Sequence, residues 1–256
     1  KRFEELELKP VIAPEMELPL NLGNRRSAFT TRERLIQTVS TLHSLTVQQG
    51  DAQIYFCDAS EPDYSEFFNQ YYPNVKYLHL QATDPTLAAE VRTAANKSIG
   101  EAHMILSLWD VYRKELLEAD FILKATGRYF YENLHNGYFT AENLDKFLFT
   151  HHSTDQRPWI DHEGFDWSLA KNLLNPTEYR HVLKTTLYGF GRKQTLRYFK
   201  AVKELMFKLY RPQYALYDVE NLLACELGYE LASNQFVRVN WQYLGWNSVS
   251  GEFIKI

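Results

Sequence analysis

Charged and hydroxyl-bearing residues follow three of the β-strands that this sequence predicts. Thr30, Thr31 and Arg32 follow one strand, Asp58 follows another, and the segment from Lys124 to Arg128 follows a third. In helix-flanked parallel sheets, ligands collect beyond the carboxyl ends of the strands. Arginine binds two phosphate oxygens at once, and lysine adds a point charge. The pattern therefore favours an anionic ligand at these strand ends.

Each of these positions also has a purely structural interpretation. Thr30-x-x-Glu33 is a capping box that opens a helix, and the free backbone N–H groups of such a helix start attract anions as well. Asp58 after a strand is often only a turn residue, and Thr126-Gly127 can form a turn that leaves Arg128 on the surface. Both interpretations stay open from the sequence.

Short strands and longer helices alternate along the chain and position these residues. Over the first 130 residues, helices separate the strands, which predicts an α/β fold with a mostly parallel, Rossmann-type sheet flanked by helices. The strands are predicted at 27–30, 53–57, 75–80, 121–125 and 147–150, with β-like segments at 236–244 and 253–256. The helices are predicted from Thr30 onwards, at 86–118 with a break near 98–100, at 167–210 with breaks at 176 and 189–191, and at 219–227, ended by Gly228.

The first 24 residues differ from the rest of the chain. Residues 1–24 contain Pro10, Pro14 and Pro19 and show little periodicity, which predicts an irregular N-terminal arm. No linker interrupts residues 25–256, so these residues are predicted to form a single domain.

The composition argues against several classes of protein. Lys and Arg total 28 against 32 Asp and Glu, giving a net charge of −4, which does not favour a protein that coats nucleic acid. Cys57 and Cys225 are too few for a disulfide framework. No stretch approaches the roughly 18 apolar residues of a membrane span. We therefore expect a cytoplasmic chain without a membrane span, while a signal or anchor upstream of Lys1 stays open.

The aromatic content is high, with 17 Tyr, 16 Phe and 5 Trp. Aromatic side chains fill cores, but Tyr and Trp also hold sugar rings and bases. Tyr129, Trp159, Trp167 and Trp246 fall on predicted loops or strand ends, where a sugar contact is plausible.

Several segments, taken in order, resemble the nucleotide-sugar-dependent glycosyltransferases of the GT-A fold, in particular family 2-like members. The opening similarity is carried by SAFTTRERL at 27–35, TVSTLHSL at 38–45 and QIYFCDAS at 53–60. Asn96-Lys-Ser-Ile-Gly100 resembles the family's segment near the pyrophosphate, and 118–124 resembles the strand that runs into an Asp-any-Asp metal motif. Residues 217–229 resemble the acidic helix start that supplies the catalytic base in inverting members.

The resemblance implies a division of the domain and a set of roles. Residues 25–130 would bind the nucleotide sugar, with a UDP-linked donor favoured, and residues 131–256 would bind a glycan acceptor. Glu220 would be the general base, with Asp218 in reserve, although first-turn acids often do no more than complement a helix dipole. The donor-binding residues would be Thr30, Thr31, Arg32, Asp58, Asn96, Lys124, Thr126 and Arg128.

The sequence departs from the family at the metal motif. The segment from Lys124 to Phe130 contains no carboxylate. A departing nucleoside diphosphate develops negative charge that something cationic must stabilise. Lys124 and Arg128 would take over this role from the metal, so we expect inverting, metal-independent transfer with no metal or other cofactor.

The acceptor side is less well defined. His151-His152-x-x-Asp155 contains metal-ligand residue types, but adjacent histidines on a strand point to opposite faces, which favours an acceptor-cleft position for His152. Trp159 and Trp167 flank an acidic, aromatic segment that is typical of carbohydrate contacts or of a packed loop. We expect a nucleotide-sugar donor and a glycan acceptor as partners, and no nucleic acid.

Three other functions stay open from the sequence. A retaining glycosyltransferase and a nucleotidyltransferase would use a similar sheet, although the latter usually needs carboxylate-held Mg²⁺. A catalytically inactive domain that binds a glycan or a partner protein would keep the scaffold without the chemistry. Asn96-Lys-Ser is also a glycosylation sequon, and a glycan at the presumed donor site would be awkward in a secretory compartment.

Overall fold

The computed structural model describes residues 29–50, 52–94, 96–134, 136–150, 152–153, 182–211, 214, 217–233, 235–246 and 253–255. The predicted N-terminal arm lies outside these residues, as do Trp159 and Trp167.

Helices and strands alternate along the described part of the chain. The helices are α1 (Thr31–Gln48), α2 (Ser65–Tyr71), α3 (Leu80–Thr83), α4 (Pro85–Thr93), α5 (Lys97–Glu118), α6 (Thr195–Leu209), α7 (Val219–Glu226) and α8 (Gly228–Ala232). The strands are β1 (Ile54–Asp58), β2 (Val75–His79), β3 (Phe121–Ala125), β4 (Tyr129–Asn133), β5 (Phe147–Phe149), β6 (His152–Ser153), β7 (Val182–Leu183), β8 (Leu187–Gly191), β9 (Phe236–Arg238), β10 (Gln242–Trp246) and β11 (Phe253–Lys255). The predicted mixed α/β character is confirmed.

The strands form small sheets rather than one large sheet. β1 and β2 pair in parallel, and β11, β10 and β4 form an antiparallel sheet in that order. The four-stranded sheet has the order β3-β8-β5-β9, in which only β5 and β9 are parallel. β6 and β7 pair antiparallel. Within the described residues antiparallel pairing therefore predominates, in contrast to the mostly parallel sheet that the strand and helix alternation predicted.

The strand that changes the topology is β8. The sequence predicts a break in a helical region at 189–191, but the segment Leu187-Tyr-Gly-Phe-Gly191 is a fully buried strand between β3 and β5. A strand buried on both faces has no alternating polar pattern, so its periodicity does not identify it.

The break in the long helical region lies between α4 and α5, at 94–96, rather than near 98–100. Asn96 ends the break because its side chain accepts a hydrogen bond from the Ser98 backbone and caps α5. Gly100 continues the helix, and a Cβ atom there would lie 3.0 Å from the Val91 carbonyl oxygen. This glycine therefore allows α4 to approach α5 closely. Gly228 likewise begins α8 instead of only ending α7.

The four-stranded sheet has a hydrophobic core on each face. Alternate residues of β5 and β8 point to opposite faces, as strand geometry requires. Phe149 and Tyr188 pack with α5, α6 and α7, whereas Leu148 and Leu187 pack with the aromatic residues of β4 and β10. Many of the aromatic residues that the structure describes pack in these cores. Tyr129, for which a sugar contact was plausible, is 6% exposed. Among the described residues, no helix combines the length and apolar character of a membrane span.

Gly191 gives a test of the close packing at the end of β8. A Cβ atom at Gly191 would lie 2.4 Å from backbone atoms of Leu144, which cannot move aside as a side chain tip can. We expect Gly191→Ala to lower the free energy of unfolding by about 2–3 kcal/mol. Gly137→Ala is the matched control, since nothing lies within 4 Å of its added Cβ, and it should change stability by less than about 0.5 kcal/mol. Urea unfolding measures both; equal losses would contradict the packing argument.

Candidate functional site

The starts of α5 and α7 meet the end of β3 and the segment 184–186. The Asn96 side chain donates to the Tyr217 carbonyl at 2.7 Å, and the Val219 backbone donates to Ser98 Oγ at 3.1 Å. The Lys124 ammonium donates to the Thr185 carbonyl at 2.7 Å. Residues far apart in the sequence thus meet at this place. The carboxyl groups of Glu101, Asp218 and Glu220 lie here, and we call these three residues the carboxylate cluster.

Two of the predicted site residues cap helices in this cluster. Asn96 Oδ1 accepts from the Ser98 backbone at 2.9 Å, and Asp218 Oδ1 accepts from the Asn221 backbone at 2.9 Å. Asp218 is thus the N-cap of α7, and Glu220 is the acid of its first turn. The predicted roles of Asn96 and Asp218 with a ligand stay predictions. Because Asn96 also donates to the Tyr217 carbonyl and Ser98 Oγ accepts from the Val219 backbone, the two helix starts hold one another in place.

The ammonium of Lys124 is fully engaged by the protein. It forms an ion pair with Glu101, donates to Thr126 Oγ1 at 3.1 Å and donates to the Thr185 carbonyl. An ammonium has only three N–H donors, so none is left for a phosphate in this arrangement. Glu101 was not predicted, since nothing in the sequence connects this residue of α5 with the end of β3.

Glu220 lies against the segment 184–186, and its pKa is raised. The Thr185 backbone donates to Glu220 Oε1 at 3.3 Å. Burial, together with the charge of Asp218, raises the pKa of Glu220 to about 7 against the opposing effects of Lys184 and the Thr185 N–H. Burial likewise raises the pKa of Asp218 to about 6. A carboxyl group that titrates near neutral pH is suited to general base chemistry.

A second cluster lies at the ends of β1 and β2. Asp58 accepts hydrogen bonds from the Ser60 backbone at 2.9 Å, from Ser60 Oγ at 2.5 Å and from Tyr77 Oη at 2.9 Å. His79 Nε2 lies 2.8 Å from the Ser60 carbonyl. The turn interpretation of Asp58 is therefore confirmed, and its carboxylate is held rigidly at the strand end.

Helix α1 is fastened to the turn that follows β3. Thr38 Oγ1 donates to the Gly127 carbonyl at 3.3 Å, and Thr41 Oγ1 donates to the Tyr129 carbonyl at 2.8 Å. Arg34 lies one helical turn before Thr38 and so on the same face of α1, towards Arg128. Burial, together with the positive charge of Arg128, lowers the pKa of Arg34 to about 10 against the opposing effect of Asp58.

At the start of α1, the residue that faces this turn is Arg34 and not one of the predicted residues. Thr30 forms the predicted capping box, with its hydroxyl accepting from the Glu33 backbone at 3.3 Å and its backbone donating to Glu33 Oε2 at 2.7 Å. Thr31 and Arg32 are exposed. Arg34 was not predicted, although its four-residue spacing from Thr38 was a signal that could have identified it.

The remaining predicted residues are placed as follows. The Thr126 backbone donates to the Thr186 carbonyl at 2.9 Å, and its hydroxyl accepts from Lys124. His152 lies in β6, whereas the positions of Trp159 and Trp167 lie outside the described residues. In the described ranges, no group of three or more His, Cys, Asp or Glu side chains is arranged to hold a metal ion.

The raised pKa of Glu220 predicts a specific dependence of stability on pH. Folding raises this pKa from its ordinary 4.5 to about 7, so the folded state binds the proton more tightly than the unfolded state. The resulting stability is complete below pH 4.5 and is lost as the pH rises through 7. Glutamine does not titrate, so Glu220→Gln should gain on the order of 2 kcal/mol relative to wild type between about pH 5 and about pH 8.

Chemical denaturation at both pH values measures this difference. Glu66→Gln removes an exposed carboxyl group from α2 and serves as the control, with the same stability difference expected at both pH values. A Glu220→Gln variant that behaves like this control would contradict the prediction, because it would show that folding does not raise the pKa of Glu220.

Comparison with known proteins adds no relative from which to transfer a function. No protein-family model, no curated protein and no solved structure matches this chain. The function is therefore inferred from the two clusters and their chemistry.

Proposed function

We propose that this chain is a GT-A-like glycosyltransferase. It moves a sugar from a nucleotide sugar, with UDP as the favoured nucleotide, to a hydroxyl group of a glycan. Transfer proceeds with inversion and without a metal ion, and Glu220 is the general base. The observation that carries the proposal is the buried Glu220 carboxyl group, whose pKa is raised to about 7 and which accepts from Thr185. Lys124 joins Thr185 to the end of β3, where the sequence resembles the family's donor site.

The positions of the two clusters support a single displacement. Glu101 of the carboxylate cluster pairs with Lys124, which also donates to Thr126, whereas Arg128, at the other end of the same short turn, lies towards Arg34. Single displacement needs a base for the acceptor on one side of the anomeric carbon and a leaving group on the other. A turn with carboxylates at one end and arginines at the other supplies both kinds of group.

The chemical step balances with these residues alone. The Glu220 carboxylate takes the proton of the acceptor hydroxyl group while the oxygen of that hydroxyl group attacks the anomeric carbon. The bond from that carbon to the nucleoside diphosphate breaks, and the electron pair goes to the departing phosphate oxygen. The guanidinium of Arg128 stabilises the negative charge that develops there.

Lys124 takes a different part from the one that the sequence suggested. Its charge balances Glu101, and its hydrogen bonds hold Thr126 and Thr185 in place. We therefore assign phosphate binding to Arg128 and a positioning role to Lys124. The engaged ammonium is also what a catalytically inactive binding domain would show, so turnover must be measured directly.

The first test is turnover of a panel of nucleotide sugars in excess EDTA. We expect release of nucleoside diphosphate at the same rate with and without EDTA, because arginine replaces the metal as the stabilising charge. Abolition by EDTA would refute the metal-independent mechanism. No turnover together with no donor-induced thermal shift would refute the transferase and favour the binding domain.

The second test concerns the base. Glu220→Gln should keep donor affinity and lose about two to four orders of magnitude in turnover, the usual contribution of a general base. The wild-type rate should rise with pH through about 7, as Glu220 ionises, and the variant should lack this limb.

Two further variants interpret the result. Asp218→Asn keeps a side chain that caps helices well and should lose less activity than Glu220→Gln. Glu204→Gln, on the exposed side of α6, should leave the rate unchanged. If Asp218→Asn loses the pH limb and Glu220→Gln keeps it, the base is Asp218.

A further inference from the structure

Arg34 and Arg128 form a pair of like charges at the turn after β3. Thr38 and Thr41 fasten α1 to the Gly127 and Tyr129 carbonyls, so the face of α1 that carries Arg34 is held against this turn. The Arg128 guanidinium lies 6.0 Å from the centre of the Tyr129 ring, whose side chain is buried. The backbone positions from which the two arginine side chains extend are therefore held close to one another.

Neither charge is neutralised within the described part of the chain. No salt bridge joins either guanidinium to a carboxylate among these residues, and Arg128 Nε is buried without a hydrogen-bond partner. Asp58 is the nearby acid and partly offsets the charge of Arg34, but its carboxylate accepts hydrogen bonds from Ser60 and Tyr77 rather than forming an ion pair with either arginine. A half-buried pair of arginines with unused donors is costly unless an anion binds between them.

We propose that Arg34 and Arg128 form a clamp for a diphosphate group, and that Arg34 is the residue that makes the site select diphosphate over a single phosphate. A diphosphate that links a nucleoside to a sugar carries two negative charges on four non-bridging oxygens. A single linking phosphate carries one charge on two such oxygens. Two guanidinium groups, each able to bind two oxygens, match the diphosphate in both charge and number of acceptors.

This inference rests on the proposed function only for the identity of the groups that the diphosphate links, a nucleoside and a sugar. The clamp itself recognises the diphosphate, which can come from a nucleotide or from inorganic pyrophosphate. It also explains how a strand end without a carboxylate can bind this group, because the second positive charge comes from α1 rather than from a metal.

The test is calorimetric binding in buffer with EDTA, using inorganic pyrophosphate, orthophosphate, UDP and UMP as probes. We expect pyrophosphate to bind at least tenfold more tightly than orthophosphate, and UDP at least tenfold more tightly than UMP. Arg34→Gln and Arg128→Gln should each weaken pyrophosphate binding tenfold or more. Equal affinity for pyrophosphate and orthophosphate, or unchanged binding in Arg34→Gln, would overturn the clamp.

A control and a second measurement separate binding from folding. Arg113→Gln removes an exposed arginine near the end of α5 and should leave pyrophosphate affinity within twofold of wild type. Without ligand, Arg34→Gln should melt at or above the wild-type temperature, because it removes the repulsion from Arg128. A variant that melts lower would mean that Arg34 is structural, which would overturn the clamp.

Failure of the clamp and failure of the transferase give different results. Pyrophosphate binding that depends on Arg34, with no turnover of any nucleotide sugar, would support the clamp and refute the transferase. Turnover that is the same in wild type and Arg34→Gln would support the transferase and refute the clamp. UDP binding no tighter than pyrophosphate would support a clamp that recognises the diphosphate alone.

Discussion

The interactions of the Lys124 ammonium hold the candidate site together. They join the end of β3 to α5 through Glu101 and to the segment 184–186 through the Thr185 carbonyl. A mostly buried ammonium is stable only when a counter-charge and hydrogen-bond acceptors replace its water, and here all three donors have a partner. Thr185, fixed in this way, presents its backbone N–H to Glu220. The geometry of the base thus depends on a lysine that does not touch it.

Charge is separated across the short turn after β3. Three carboxylates gather at the end nearer β3, where burial and mutual repulsion raise the pKa values of Asp218 and Glu220. Two arginines gather at the other end, where Arg128 and burial lower the pKa of Arg34. The charged forms of Asp218, Glu220 and Arg34 are thereby destabilised, and a ligand of opposite character would relieve each of them. An acceptor proton relieves the carboxylates, and a phosphate relieves the arginines.

The sequence predicted the local features of this site better than its long-range contacts. The capping box at Thr30 and the strands ending at Asp58 and Ala125 follow from patterns of a few residues, and the structure has them. Strand β8 was missed because a strand buried on both faces lacks alternation, and with it the antiparallel topology was missed. Lys124 was assigned to a phosphate because its partner Glu101 is joined to it only by the fold.

The aromatic residues are part of the same construction. Tyr131 Oη accepts from the Thr126 backbone at 3.0 Å and lies 3.1 Å from the Thr126 carbonyl and 3.3 Å from the Thr186 carbonyl. Its hydroxyl thus bridges the turn after β3 and the segment before β8. The Tyr131 side chain is fully buried. A phenylalanine there would keep the apolar packing but would remove the hydrogen bonds that the hydroxyl makes with the backbone of Thr126 and Thr186. Tyrosine at such positions supplies both the apolar volume of a core and the polar contacts that keep the site rigid.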